Sequence, residues 1–271
     1  MTYKGADDMN YIPCALTIAG TDPTGGAGIQ ADLKTFQELK TYGMSIITTV
    51  VSQNTTGVQD VYHMPLSMIE SQLKSVIDDM PIHAFKTGMI AQHDMMEMIK
   101  KTTRNLNVPY VIDPVMVATS GDPLIDESAM NFLRNELLPL ASIMTPNIPE
   151  AEYLLDMKIN SKEDMEIAAK GLVEKLGVKA SLVTGGHLEG EAIDYLYDGK
   201  ELYTFPANRI DTNNTHGTGC TLSAAITAYL SKGYTMLKAV EQAKKYVTLA
   251  IQHSLELGHG SGPTNHWAPR L

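Results

Sequence analysis

Residues 15–36 read A-L-T-I-A-G-T-D-P-T-G-G-A-G-I-Q-A-D-L-K-T-F. The first five are a short apolar run that stops at Gly20, the pattern of a buried strand entering a turn. From Gly28 the spacing changes. Ile29, Leu33, Phe36 and Leu39 recur at helical steps along one face, and Gly43 is expected to end the helix. Strand, glycine-rich turn and helix form the first half of a βαβ unit.

The rest of the chain repeats this alternation. S-I-I-T-T-V-V (45–51) is dense in β-branched residues and reads as one buried strand. A helix is expected over 67–79, with Ser67 as N-cap and Glu70 at the capping-box spacing. Further strands are expected up to Lys86 and over 110–112, 142–144 and 181–183, with helices over 94–103, 127–138, 149–155 and 162–176. Segments 193–197 and 202–205 read as an antiparallel pair joined by D-G-K, followed by helices over 219–232 and 236–256. The pattern predicts an α/β fold: a mostly parallel sheet with helices on both faces. Residues 1–12 read as a loosely held tail, 13–271 as a single domain, and 258–266 as too glycine-rich for regular structure.

Bulk properties narrow the function. A net charge of −10 without any Lys/Arg-rich run argues against nucleic acid or an anionic membrane as partner. No apolar run approaches the ~18–20 residues of a membrane span, and the first residues lack an apolar leader, so a cytoplasmic location is expected. Cys14 and Cys220 are too few for a disulfide framework, and no Cys/His spacing suggests zinc.

Glycine and polar residues gather after the strands, in segments 20–28, 52–54, 86–89, 113–116, 145–150 and 184–187. In a parallel sheet these share the carboxyl edge, where open α/β folds bind ligands. Turn chemistry explains the Gly and Pro, but not Gln53, Asn54, Asn147 and Glu150. Residues 26–31 have the G-x-G-x-x-A spacing, yet the next strand ends V-V-S-Q-N without an acid for a ribose, which weighs against a nicotinamide enzyme. Gly20 and Gly25 have P-loop spacing, but Gly26-Ala27 stands where Lys-Ser/Thr belongs.

The stronger signal is N-N-T-H-G-T-G-C-T-L (213–222). Gly217, Thr218 and Gly219 before a helix can aim free N–H groups and the helix dipole at an anion, phosphate first. Tight glycine packing is the alternative. A cysteine there is expected to have its thiol pKa lowered toward neutrality and to act as a base or stand beside the reacting hydroxyl. The other reading of Cys220 is a small buried hydrophobe. Asn147 and Glu150 suit a water-coordinated Mg²⁺ or, equally, an N-cap and its capping-box partner.

Together these segments resemble the ribokinase-like superfamily, and within it the hydroxymethylpyrimidine/phosphomethylpyrimidine kinases of thiamine biosynthesis. The likeness runs from Ala15 to His266: the opening segment, Q-N-T-T-G-V-Q (53–59), K-T-G-M-I-A (86–91), V-I-D-P-V-M-V-A-T-S-G-D (111–122), T-P-N-I-P-E-A-E (145–152), T-H-G-T-G-C-T-L-S-A-A (215–225) and G-P-T-N-H (262–266), in family order. It implies a three-layer α/β/α sandwich and a dimeric, ATP- and Mg²⁺-dependent kinase. That enzyme phosphorylates the hydroxymethyl group of 4-amino-5-hydroxymethyl-2-methylpyrimidine, then the monophosphate to the diphosphate. The resemblance implies that Gln53 hydrogen-bonds the pyrimidine, with Gly20, Asp32, Val51, Met89 and Val115 lining its pocket. Gly217, Thr218, Gly219 and Cys220 match the anion hole over the transferring phosphoryl group, with Cys220 at the base position that most of the superfamily fills with Asp. Asn147, Thr184 and Asp113 match the nucleotide region, and Glu150 and Asp113 the handling of Mg²⁺ through water.

Thr184 is a departure, because these kinases usually carry Lys before Gly-Gly-His; a hydroxyl replaces a point cation. A pyridoxal (vitamin B6) kinase of the same group is the near alternative. Gln53-Asn54 speaks against it, since the cysteine-type B6 kinases tend to carry Met-Asp there. A non-catalytic small-molecule-binding protein on this fold is the alternative from another class, with Thr184 as its support.

Overall fold

The structure, a computed structural model, describes residues 11–116, 125–186 and 191–271. Its elements run β1 (Cys14–Ala19), α1 (Gly28–Glu38), β2 (Tyr42–Ile47), β3 (Thr49–Asn54), β4 (Gly57–His63), α2 (Leu66–Ile77), β5 (Ala84–Thr87), α3 (His93–Thr103) and β6 (Tyr110–Ile112). They continue α4 (Glu127–Phe132), β7 (Ile143–Met144), α5 (Ile148–Leu155), α6 (Lys162–Leu176), β8 (Ser181–Val183), β9 (Ala192–Tyr197), β10 (Leu202–Ala207), α7 (Thr218–Ser231) and α8 (Met236–Gln252). Among the described residues, eight strands form one sheet in the order β10-β9-β8-β7-β6-β5-β1-β2, parallel from β8 to β2 and antiparallel through β9 and β10.

Alternate residues of the parallel strands feed two cores. Leu16, Ile18, Phe85, Tyr110 and Ile112 pack toward one face with Ile69, Ile99 and Leu172 of α2, α3 and α6. Ala84, Val111, Ile143 and Leu182 pack toward the other, with Leu222 and Ile226 of α7 and Val240 of α8. Strands covered on both faces read as continuous apolar runs, which is why Y-V-I (110–112) is a strand despite lacking alternation. The expected α/β architecture is the observed one.

Several local expectations are corrected. Helix α1 ends at Glu38, and Lys40, with φ of 54°, turns the chain. Gly43 lies instead inside β2, packed against Leu33 and Phe36. The 45–51 run is two strands, not one. It breaks at the buried Thr48, and β3 leaves the main sheet to pair antiparallel with β4 as a separate two-stranded sheet. No Gly or Pro marks that break; the Thr49 carbonyl is held by the Thr21 N–H at 2.9 Å, a contact only the folded chain makes. Strand β4 was not foreseen, because six of its seven residues are exposed and it carries no apolar alternation. Helix α2 starts behind Pro65 without a side-chain cap, so Ser67 does not cap it, and Glu70 pairs with Lys74 at 2.9 Å. The 127–138 helix keeps α geometry only to Phe132, then continues as a π turn to Leu137. Tail residues 1–10, segment 117–122 of the family motif and His187 lie outside the described residues. No helix among the described residues is long and apolar enough to cross a membrane.

Candidate active site

The carboxyl ends of β1, β5, β6, β7 and β8 open on one edge of the sheet, and the first turn of α7 comes up beside them. Gly217 is the N-cap of α7 with φ of 78°. It approaches the neighbouring glycine turn so closely that a Cβ would stand 1.7 Å from the Gly26 carbonyl oxygen. Both the turn geometry and the close approach require glycine. His216 Nε2 meets Asp22 Oδ2 at 2.7 Å, and Asp22 also accepts the Ala27 N–H at 2.7 Å and the Thr24 N–H at 2.9 Å. Burial opposes the Asp22 charge, but hydrogen bonds from His216, Gln53 and Thr24 outweigh it and hold the carboxyl well below the usual range. The Asp22–His216 pair thus clamps the turn before α1 to the turn before α7.

No side chain caps α7. Among the described residues the N–H groups of Gly219 and Cys220 have no acceptor, and Gly219 is exposed. Two free donors at the positive end of a helix form a seat for an anion.

Beneath this turn lies a buried charge cluster that sequence reasoning missed. Lys86 of β5 is 0% exposed; its Nζ donates to Asp32 Oδ1 of α1 at 2.7 Å and lies 4.0 Å from Asp113 Oδ2, just past β6. Asp32 Oδ2 accepts from Thr17 Oγ1 at 2.6 Å, and Asp113 Oδ2 accepts from Ser223 Oγ of α7 at 2.9 Å. Burial pushes the lysine down, but Asp32 first and Asp113 with it outweigh that and hold the ammonium charged. Burial raises Asp32 and Asp113, and Lys86 pulls both back. The signal was present: a lysine inside a short strand whose neighbours are Ala84, Phe85 and Thr87 needs a buried partner.

The same surroundings overturn the expectation of an acidic Cys220. Its thiol is pushed up to about 12, first by burial and then by Asp113 and Asp32, with Lys86 and the Gly28 N–H pulling the other way. The helix N-terminus does not compensate for two carboxylates and lost water.

The residues assigned to the substrate pocket partly converge. Met89 Cε lies 3.0 Å from where a Cβ on Gly20 would sit. The Val51 N–H donates to Thr21 Oγ1 at 3.0 Å, and Gln53 reaches Asp22. Asp32 is turned inward to Lys86 and Thr17 and is itself fully buried, so its carboxylate is not open to the cleft. Val115 is half-buried on the same edge, after β6.

Asn147 and Glu150 form a complete capping box at α5. Asn147 Oδ1 accepts the Glu150 N–H and Glu150 Oε2 accepts the Asn147 N–H, both at 2.9 Å. Glu150 Oε1 faces the Met116 N–H at 3.4 Å. Burial, and Asp113 after it, push Glu150 up to about 7. Thr184 sits beside Asn147 in a parallel bridge, its N–H on the Pro146 carbonyl at 3.0 Å. No group of three or more acidic, His or Cys side chains among the described residues makes a metal cage. The donor set of Asp113 and Glu150, two mutually repelling carboxylates already bonded to protein N–H or O–H groups, fits only a hydrated ion carried in with phosphates.

The sequence profile of the family described as phosphomethylpyrimidine kinase matches residues 22–265. The chain belongs to this family. It is a phosphotransferase of ribokinase-like fold, and ATP is the phosphoryl donor the family implies. The hydroxymethylpyrimidine/phosphomethylpyrimidine kinase of Staphylococcus aureus strain Mu50 is 47% identical over 257 residues, covering 94% of this chain and 93% of the relative. The crystal structure of phosphomethylpyrimidine kinase from Clostridium difficile 630 aligns with a TM-score of 0.79 at 42% identity, covering 89% of this chain and all of that one. An ADP complex of Bacillus subtilis pyridoxal kinase aligns with a TM-score of 0.90 at 41% identity, over 96% of this chain and 100% of that one.

Proposed function

We propose that this chain, as one domain spanning 13–271, carries a phosphoryl group from ATP first to the hydroxymethyl group of 4-amino-5-hydroxymethyl-2-methylpyrimidine and then to the resulting monophosphate. The observation that carries the mechanism is the uncapped start of α7. In phosphoryl transfer the protein chiefly positions the reactants and stabilises charge on the equatorial oxygens. The Gly219 and Cys220 N–H groups, held by Gly217 and Thr218 against the first glycine turn, do both. Gln53 supplies the donor and acceptor that an aminopyrimidine edge needs. Gly20, Val51, Met89 and Val115 form the apolar walls.

Thr184, Asn147 and Asp113 flank the nucleotide phosphates. Asp113 and Glu150 would hold a hydrated Mg²⁺ brought by ATP, and that ion would neutralise phosphate charge. With Thr184 in place of a lysine, the buried cation under the α7 turn is Lys86, held by Asp32 and Asp113. Cys220 stands at the candidate-base position, and its thiol is protonated at neutral pH. A protonated thiol cannot take the hydroxyl proton, so Cys220→Ala is expected to leave kcat close to the parent's, with the KM for the pyrimidine unchanged, measured by ADP release. A fall of about 10²-fold would restore the sulfur as the base. A kcat within threefold of the parent removes the sulfur from the mechanism and leaves only the backbone N–H groups.

Pyridoxal is the substrate favoured by the second reading, supported by the TM-score of 0.90 to a pyridoxal kinase. Incubation with Mg-ATP and, separately, the pyrimidine alcohol, its monophosphate and pyridoxal, with products identified by mass, decides between them; phosphorylation of pyridoxal alone overturns the main reading. The protein is further proposed to work in the cytoplasm as a homodimer. Val50 and Tyr62, opposite each other across β3–β4, are exposed, as are Val61, Leu66 and Met68, and sedimentation measures the stoichiometry.

A further inference from the structure

Segment 258–262 has neither helix nor strand, yet it is built around one side chain at the tip of the β3–β4 hairpin. Thr55 Oγ1 accepts the N–H groups of His259 at 3.0 Å and Gly260 at 3.1 Å, and the Thr55 carbonyl accepts the Ser261 N–H at 3.1 Å. A Cβ on Gly260 would stand 1.9 Å from the Thr55 carbonyl oxygen, so the glycine is what lets the tip dock.

The segment continues into the phosphoryl turn. Asn214 Oδ1 accepts the Gly262 N–H at 3.1 Å, and the Gly262 carbonyl accepts the His216 N–H at 3.1 Å. His216 is the residue that clamps Asp22, and Asp22 is also the partner of Gln53, two residues before Thr55. The contacts therefore close a ring: hairpin tip, glycine segment, His216, Asp22, Gln53 and back to the hairpin. A half-open cavity of about 420 Å³, walled in part by Thr24, Thr56 and Pro263, lies against this ring.

We propose that Thr55 is a positioning residue for phosphoryl transfer. Docked on Gly258–Gly262, it holds the hairpin over the cleft, keeps Gln53 and the 217–220 turn in one frame, and excludes water from the transferring group. The inference rests on the assignment of Gln53 to the pyrimidine and of the 217–220 turn to the phosphoryl group.

The test compares the parent with Thr55→Val, Thr55→Ser and Gly260→Ala, reading kcat and KM for the pyrimidine alcohol together with ADP released when no alcohol is present. Thr55→Val removes the Oγ1 acceptor, and Gly260→Ala blocks docking while leaving Thr55 intact. Both are expected to raise KM about tenfold, the worth of one or two hydrogen bonds, and to raise ADP release without alcohol relative to transfer. Thr55→Ser keeps the hydroxyl and is expected to restore both readings. Parental KM and ADP release in Thr55→Val and Gly260→Ala overturn the proposal, as does a Thr55→Ser enzyme as impaired as Thr55→Val. If Thr55→Val does not fold, Gly260→Ala decides. A parent that does not turn over the pyrimidine alcohol sinks the substrate assignment instead, and alcohol-independent ADP release then still reports on the latch.

Discussion

Helices α5 and α7 begin at the same edge of the sheet, each behind residues that the sequence marks as ligand-facing, and they are finished in opposite ways. At α5 the Asn147 and Glu150 side chains close on each other's backbone N–H groups, and Pro149 in the first turn removes a further donor. At α7 Gly217 has no side chain to offer, and the next free donors stay open. In the sequence the glycine turn is the stronger anion signal, and the carboxamide and carboxylate three residues apart read equally as a ligand site or a capping box. The difference teaches that a helix start is available to a phosphate where no neighbouring side chain has filled it first.

Four perturbations test that contrast. The largest effect is expected from Gly217→Ala, which places a Cβ 1.7 Å from the Gly26 oxygen. Moving the open turn should lower kcat about 10³-fold, measured in steady state on folded protein; activity within tenfold of the parent would remove α7 from the chemistry. Next is Lys86→Met, which leaves Asp32 and Asp113 buried under α7 without their cation. Breaking a buried pair on one side costs about 3–5 kcal/mol, read by denaturant unfolding, and Asp32→Asn/Lys86→Met should recover most of it.

The third perturbation is pH, where the two helix starts respond in opposite senses. His266 Nε2 lies 3.2 Å from Thr221 Oγ1 in the first turn of α7, and burial, then Lys34, push its ring down to about 4. A folded pKa below the unfolded value of about 6.5 means that stability rises with pH across that window, by up to about 3 kcal/mol. At α5, Glu150 sits at about 7 against an ordinary 4.5. The folded state then binds more protons than the unfolded, so its contribution falls as pH rises from 4.5 to 7. Melting curves between pH 4 and 7 should therefore lose acid sensitivity in His266→Asn and gain it in Glu150→Gln. The smallest effect belongs to Asn147→Ala, which opens the capping box for about 1 kcal/mol of stability and is expected to change the KM for ATP by roughly twofold.

What the sequence disclosed follows the same physical division. Where local chemistry is self-sufficient, the reading matched closely: α6 runs from Lys162 to Leu176, with the Ser161 side chain capping it and Gly177 at φ of 72° ending it. β6 is the three residues between Pro109 and Asp113. Where contacts distant in sequence decide, it did not. Thr48 carries no mark of the break between β2 and β3, and the exposed β4 has no pattern to read. Of the site, the turns at 20–28 and 217–220 were visible as glycine spacing, whereas the Lys86 cluster joins residues from four elements. The lowered thiol pKa expected for Cys220 failed for the same reason: a helix terminus can be read locally, but the carboxylates that oppose it come from elsewhere.

The outer strand β10 bears on how the molecule keeps to itself. It pairs only with β9 in the described sheet, and it carries Pro206 one residue before its end, paired with Ile193. A proline has no N–H to offer a further strand, so this flank of the sheet resists extension by a second chain. Freshly made chains crowded together are thus denied ribbon-like stacking at β10, and growth into fibrils from that side is discouraged before any chaperone acts.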